Sequence, residues 1–266
     1  MGFIQETEHA GARYLGENPK ARGTYVRAGR TIGYVAAGNP LRPKIIFIHG
    51  SPGNWAGYVH FLEDPGLRDA YRIAPDRPGY GESGAGNTER SLAVQADALM
   101  GLLDLGNPSA PVILVGHSYG GAVVARMAMS ADPRIRSVVI VAGSVDPALE
   151  KTKWFQYPAD WIPIRWVIPS ELRVCNEEIF ELKHGLTEAL PLWSRISARM
   201  SVIQGDLDEL VPPANVDFLD KILVRPLSNR VVIVGMNHFI PWRAPDRIWD
   251  VLRIEWDHWG LSKWEK

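Results

Sequence analysis

Val112-Ile113-Leu114-Val115-Gly116-His117-Ser118-Tyr119-Gly120-Gly121 decides the fold. Val112 to Val115 is a continuous apolar run, as expected of a strand covered on both faces. The small, apolar stretch from Gly120 to Met129 suits a helix packed tightly under a sheet. Between them the chain must turn sharply, and the turn is G-x-S-x-G. In a strand–turn–helix setting that pattern forces its serine into a strained backbone conformation and lifts the hydroxyl out at the sheet edge. Glycine is needed at 116 and 120 because neighbouring backbone passes too close for a side chain. The helix N-terminus contributes free N–H groups and a positive dipole end beside the hydroxyl. Ser118 is therefore the candidate nucleophile.

Outward from this turn the same rhythm repeats. Apolar runs at Lys44–Ile48, Tyr71–Ala74, Ser137–Val141, Ser201–Ile203 and Val231–Val234 read as further buried strands. Helical patterns lie between them. Thr88 is placed to cap a helix running to about Leu105, with Gly106 at its C-terminal end. Pro213–Leu223 and Pro245–Trp256 predict two more helices. Thr24–Val26 and Thr31–Val35 read as two paired strands joined around Gly29. Alternating βα units with right-handed crossovers argue for an α/β fold. Residues 147–193 break the rhythm: they are rich in tryptophan and proline, carry no clear strand and read as a helical insertion. The expected organisation is a core domain of residues 1–146 and 194–266 with an insertion at 147–193.

A serine hydroxyl needs a base to become a useful nucleophile. Of seven histidines, His238 follows the last strand and precedes the final helix, on a loop at the carboxyl end of the sheet, where α/β sites collect. The base needs an acid to orient it and stabilise its charge. Gln204 to Pro212 follows another strand and offers Asp206, Asp208 and Glu209; Asp208 is preferred, with Asp146 as a rival after the Ser137–Val141 strand. Acyl transfer also needs two donors aimed at the developing oxyanion. The backbone N–H groups of Tyr119, just after the nucleophile, and of Ser51, in the turn His49-Gly50-Ser51-Pro52-Gly53, are nominated. His49 and His117 are read as structural.

Together, His49 to Gly53, Asp76-Arg77-Pro78-Gly79-Tyr80-Gly81-Glu82-Ser83, Gly116 to Gly121, Gly205 to Pro212 and Asn237-His238-Phe239 resemble the α/β-hydrolase superfamily, over about residues 22–258. The resemblance implies a mostly parallel central sheet with helices on both faces and a small helical cap insertion above the nucleophile. It implies the triad order Ser118, Asp208, His238. It also implies that the Asp76–Ser83 loop is a structural turn. The glycine usual before the catalytic histidine is Asn237 here, a residue that tolerates left-handed backbone. Related dehalogenases and epoxide hydrolases carry an aspartate at the elbow to attack saturated carbon. Serine at 118 suits a carbonyl instead.

The expected activity is hydrolysis of a carboxylic ester or related acyl bond of a small, moderately hydrophobic molecule through an acyl-enzyme. Lactonase, carbon–carbon bond hydrolase and cofactor-free haloperoxidase or perhydrolase chemistry stay open, as does a non-enzymatic small-ligand receptor on the same fold. Trp154 and Trp161, in the insertion, are candidate substrate-binding residues that would line an apolar pocket.

Composition bounds the rest. With 29 basic and 30 acidic residues, nothing advertises a polyanionic partner, and nucleic acid is disfavoured. Metal-ligand spacings and a G-x-G-x-x-G turn are missing, so no metal and no cofactor are expected. The single cysteine, Cys175, cannot form an internal disulfide and is read as structural. The polar N-terminal stretch lacks the apolar run of a secretory signal, and no stretch reaches the ~18 apolar residues of a membrane span. A cytoplasmic monomer or homodimer without stable membrane insertion is expected.

Overall fold

The computed structural model describes residues 2–150 and 169–261. Its centre is an eight-stranded sheet in the order β1-β2-β4-β3-β5-β6-β7-β8. The strands are β1 (Arg22–Arg27), β2 (Arg30–Ala37), β3 (Lys44–Ile48), β4 (Tyr71–Pro75), β5 (Val112–His117), β6 (Ile135–Val141), β7 (Arg199–Gly205) and β8 (Asn229–Ile233). β1 and β2 form an antiparallel hairpin, and β2 lies antiparallel to β4; β3 through β8 are parallel. The helices are α1 (Gly2–Glu17), α2 (Val59–Leu62), α3 (Leu92–Leu99), α4 (Tyr119–Ala128), α5 (Ser170–Ala189), α6 (Ala214–Ile222), α7 (Ile240–Arg243) and α8 (Pro245–His258).

Side chains alternate across each strand, so the sheet carries two cores. Ile46, Ile48, Leu114, Val138 and Ile140 face α3, α4 and α5, in a cluster with Leu99, Val123, Leu182 and Trp193. Ile45, Phe47, Ile113, Val115 and Val139 face the other way, towards Tyr14 of α1, Phe61 of α2 and Ile248, Val251 and Leu252 of α8. This two-sided burial is why the strands are apolar at nearly every position.

Three expectations need correction. The helix expected from Thr88 begins at Leu92, capped by Ser91, whose Oγ accepts from Val94 N at 3.4 Å. Glu89 holds the preceding residues out of the helix. Its carboxylate accepts from Ser91 N at 2.9 Å and its carbonyl from Gln95 Nε2 at 2.8 Å. The last turn tightens to a 3-10 segment, Met100–Asp104. β8 was expected to be covered on both faces, but it is an edge strand whose residues alternate between half-buried and exposed. The N-terminal stretch, read only as polar, is helix α1. It docks through Tyr14, and at Gly11 a Cβ would come within 2.7 Å of Ala56 Cβ.

β3 sits where the strand order reverses, with β4 on one side and β5 on the other. The loops that leave β3 and β5 therefore diverge above a crevice, the usual location of α/β sites. Between β6 and β7 the described residues form α5 and a 3-10 segment, Leu190–Arg195. Trp154 and Trp161 lie outside the described residues. Among the described residues, no helix is long and apolar enough to cross a membrane.

Candidate active site

Ser118 follows β5 directly and has φ 56°, ψ −123°. A left-handed, non-glycine conformation of this kind costs about 1–3 kcal/mol and persists only when surroundings impose it. Here three hydrogen bonds do so. Ser118 N donates to Val141 O at 3.0 Å, and Ser118 O accepts from Gly121 N at 2.9 Å and Ser144 N at 3.3 Å. The flanking glycines are required sterically. A Cβ at Gly116 would lie 2.2 Å from Gly120 O, and one at Gly120 would lie 2.3 Å from Ile48 O. Tyr119 opens α4, and the first amides of a helix have no intrahelical acceptor.

The loop after β3 passes beside the elbow: a Cβ on Gly50 would lie 2.7 Å from Ser118 Cβ. Ser51 comes next, joined to Pro52 by a cis peptide bond. His49 is buried and stands as a post under this loop. Its Nε2 accepts from Arg77 N at 2.9 Å and its Nδ1 lies 2.8 Å from Gly50 O. Burial, with the Arg77 guanidinium nearby, holds the imidazole well below its usual pKa, so it is neutral. Accepting at Nε2 leaves Nδ1–H to donate to Gly50 O.

His238 and Asp208 meet at the carboxyl end of β7 and β8. His238 Nδ1 lies 2.8 Å from Asp208 Oδ2, with both side chains buried. An ionised carboxylate can only accept, so Nδ1 carries the proton and the lone pair is on Nε2. Asp208 is itself held on every side. Oδ1 accepts from Leu210 N at 3.0 Å and Val211 N at 2.8 Å, and Oδ2 accepts also from Gln204 Nε2 at 3.1 Å. Gly205 lets the histidine loop approach: a Cβ there would stand 2.3 Å from Met236 O. The loop is tied to the elbow by His117, whose Nε2 lies 3.0 Å from His238 O, its ring centroid 4.7 Å from that of His238. Burial and then the neighbouring His238 push the His117 pKa down to about 3. Neutral His117 donates from Nε2 to that carbonyl.

The other carboxylates have different work. Asp206 accepts from Gly235 N at 2.7 Å on the exposed side of the turn. Asp146 accepts from Ala148 N at 2.8 Å, capping its own turn. Asp76 accepts from Trp55 N and Glu82 N, fixing the Asp76–Ser83 loop. Cys175 lies on α5, and burial with the nearby Glu178 pushes its thiol up to about 12, far from a reactive thiolate.

One group of residues was not foreseen. Arg77 does not pair with its neighbour Asp76 but makes a bidentate ion pair with Glu178 of α5, at 2.7 and 2.8 Å, with neither side chain exposed. Ser51 Oγ donates to Glu178 Oε1, Tyr80 Oη donates to the same oxygen at 2.5 Å, and Gln95 Nε2 donates to Oε2 at 2.9 Å. A signal was present. Val174, Glu178, Leu182 and Leu186 recur every fourth residue, so a glutamate stands where the apolar stripe of a helix calls for another aliphatic side chain. Among the described residues, no cluster of three or more His, Cys, Asp or Glu side chains is placed to hold a metal ion.

Residues 45–251 match the model of the alpha/beta hydrolase family. The chain belongs to that family. This α/β hydrolase is 26% identical over 240 residues to the pimeloyl-[acyl-carrier protein] methyl ester esterase of Aeromonas hydrophila, covering 74% of this chain and 88% of that protein. It is 32% identical over 124 residues to epoxide hydrolase 4 of Mus musculus, covering 44% of this chain and 33% of that protein. Against the first curated relatives it matches, it spans half of their length or less, 49% and 26%. Its fold is that of 2-hydroxy-6-oxo-6-phenylhexa-2,4-dienoate hydrolase from Rhodococcus sp. strain RHA1, with a TM-score of 0.69, 17% identity and coverage of 89% of this chain and 98% of that one.

Proposed function

We propose that this α/β hydrolase cleaves a carboxylic ester of a small, moderately hydrophobic molecule, with Ser118 as nucleophile, His238 as base and Asp208 as the acid that orients it. The observation that carries this reading is the 2.8 Å contact between His238 Nδ1 and Asp208 Oδ2. It fixes the tautomer whose Nε2 can take a proton, on a loop bonded to the residue next to Ser118.

The Ser118 hydroxyl proton passes to His238 Nε2 as Oγ forms a bond to the carbonyl carbon. Negative charge collects on the carbonyl oxygen, where the amides of Tyr119 and Ser51 donate to it. The carbon–oxygen bond to the alcohol breaks, and the alcohol leaves with the proton from Nε2. Water then gives a proton to the same nitrogen and attacks the acyl-enzyme. Collapse of the second intermediate returns that proton to Ser118 and releases the acid. Serine, unlike the aspartate expected at the elbow of an epoxide hydrolase, is the nucleophile for which a carbonyl and an oxyanion hole make sense. α5 serves as the cap that screens the acyl-enzyme from bulk water.

The test is labelling by an alkyl fluorophosphonate, with the adduct located by mass spectrometry, beside turnover of p-nitrophenyl esters of increasing chain length. An adduct on Ser118, multiple turnovers and a loss of about 10⁴-fold or more in kcat for Ser118→Ala are expected. Turnover that survives Ser118→Ala would overturn the assignment.

A further inference from the structure

Ser51 and Tyr119, the residues whose amides serve as oxyanion donors in the reading above, sit apart in the chain, Ser51 in the loop after β3 and Tyr119 at the start of α4. Their side chains end on one buried ion pair. Ser51 Oγ donates to Glu178 Oε1 and accepts from Arg77 Nη2 at 2.7 Å. The same guanidinium donates from Nε to His49 O at 2.8 Å and from Nη2 to Gly50 O at 3.0 Å. One side chain thus grips three consecutive residues of the β3 loop. The Arg77 guanidinium also stacks over the Tyr119 ring, 4.5 Å from its centroid. The Tyr119 hydroxyl accepts from Gln95 Nε2 at 3.2 Å, and that nitrogen in turn donates to Glu178.

A buried ion pair is a poor device for stability alone, since an apolar pair of similar volume often does as well. What this one offers is direction. Every oxygen of Glu178 and every nitrogen of the Arg77 guanidinium has a partner: Ser51 and the two residues before it, Tyr80, and Gln95, which also bonds the Tyr119 hydroxyl. Glu178 belongs to α5, between β6 and β7, whereas Arg77 and Ser51 belong to loops that leave the sheet and Tyr119 opens α4.

We propose that Arg77 and Glu178 are positioning residues that hold both oxyanion donors in register, so that the hole is formed only when α5 is seated. This rests on Ser118 being the nucleophile. A displacement of α5 carries Glu178, and through Arg77 and the Ser51 hydroxyl it carries the β3 loop. A misplacement of ~1 Å at a reacting centre costs on the order of 10²-fold in rate. The direct link from α5 to the β3 loop is Ser51 Oγ on Glu178, and it can be cut while the ion pair and its bonds to His49 O and Gly50 O stay in place.

The test compares wild type, Ser51→Ala, Ser51→Thr, Glu178→Gln and the Ser51→Ala/Glu178→Gln double variant. Three quantities are measured: the rate of fluorophosphonate labelling at Ser118, kcat and KM for p-nitrophenyl butyrate, and the thermal midpoint. Ser51→Ala should lower kcat and the labelling rate by between about tenfold and about a hundredfold, with KM within about twofold and the melting temperature little changed. Ser51→Thr, which keeps the hydroxyl, should recover most of the rate. The double variant should be no slower than Glu178→Gln, because both changes cut one linkage. A wild-type rate in Ser51→Ala overturns the proposal, as does a double variant in which the two losses multiply. Should Glu178→Gln fail to fold, the Ala and Thr variants at 51 decide alone. A wild type that is neither labelled at Ser118 nor active removes the nucleophile assignment and this proposal with it. A labelled wild type with an unaffected Ser51→Ala removes only the positioning role.

Discussion

Asp208→Asn changes one atom and should nearly silence the enzyme. Asp208 accepts four hydrogen bonds, two on each oxygen. Asparagine has one oxygen and one amide group to replace them. The two backbone donors, Leu210 N and Val211 N, cannot move without unfolding the turn, so the asparagine oxygen must stay with them. Its NH₂ then occupies the Oδ2 position and faces the Gln204 amide and His238 Nδ1. A donor there forces the imidazole into the other tautomer, with Nδ1 accepting and the proton on Nε2. That histidine cannot take a proton from Ser118. In a serine protease the corresponding change costs about 10⁴ in kcat, which is about 5.5 kcal/mol of transition-state stabilisation. A similar loss is expected here, with KM within a few fold. The assay is stopped-flow acylation by a p-nitrophenyl ester, paired with a thermal melt to verify the fold. A folded Asp208→Asn enzyme that acylates within tenfold of wild type would refute the tautomer argument and, with it, the role given to Asp208.

Three further outcomes follow from the same structure. His117 has a folded pKa of about 3 against an ordinary 6.5, so below pH 6.5 the unfolded chain binds a proton that the folded chain refuses. Stability is lost as pH falls from 6.5 towards 3, by on the order of 3 kcal/mol at pH 4.5. His117→Gln removes that titration and can still donate to His238 O, so its urea-unfolding free energy should fall less between pH 7 and 4.5; parallel curves for variant and wild type would contradict this. Gly205→Ala places a methyl 2.3 Å from Met236 O and should push the His238 loop away, lowering kcat by roughly 10²-fold with a smaller effect on KM. Gly50→Ala, whose Cβ would meet Ser118 Cβ at 2.7 Å and His117 O at 3.2 Å, should slow fluorophosphonate labelling by at least about tenfold, measured by intact mass.

Much of this was legible because it is local. The strands announce themselves as short apolar runs since both faces of the sheet are covered, and the elbow does so because backbone crowding leaves only glycine at 116 and 120. Asp208 could be preferred over Asp206 in the sequence, but what separates them is geometric: Asp208 points back to His238, and Asp206 caps the exposed turn at Gly235. The start of α3 was misplaced because Thr88 and Ser91 are both good caps, and the decision is made by Glu89 bonding Ser91 N. α1 was missed because its apolar stripe is thin and it gains burial from distant parts of the chain, among them Trp55 and Ala56. Glu178 escaped notice because its partner lies 101 residues away in the chain, and no local pattern encodes a pairing of that span.

The order of the strands has a consequence for how the protein is made. Synthesis proceeds from the N-terminus, and domains assemble as the chain emerges. β3, β4 and β5 precede β6 in the chain, and the Ser118 turn needs Val141 O and Ser144 N, so it is complete only once β6 has paired. The imidazole arrives only with the last strand, at the far rim of the sheet. On the proposed reading, in which His238 is the base, the nascent chain holds an alcohol without its base until β8 is laid down.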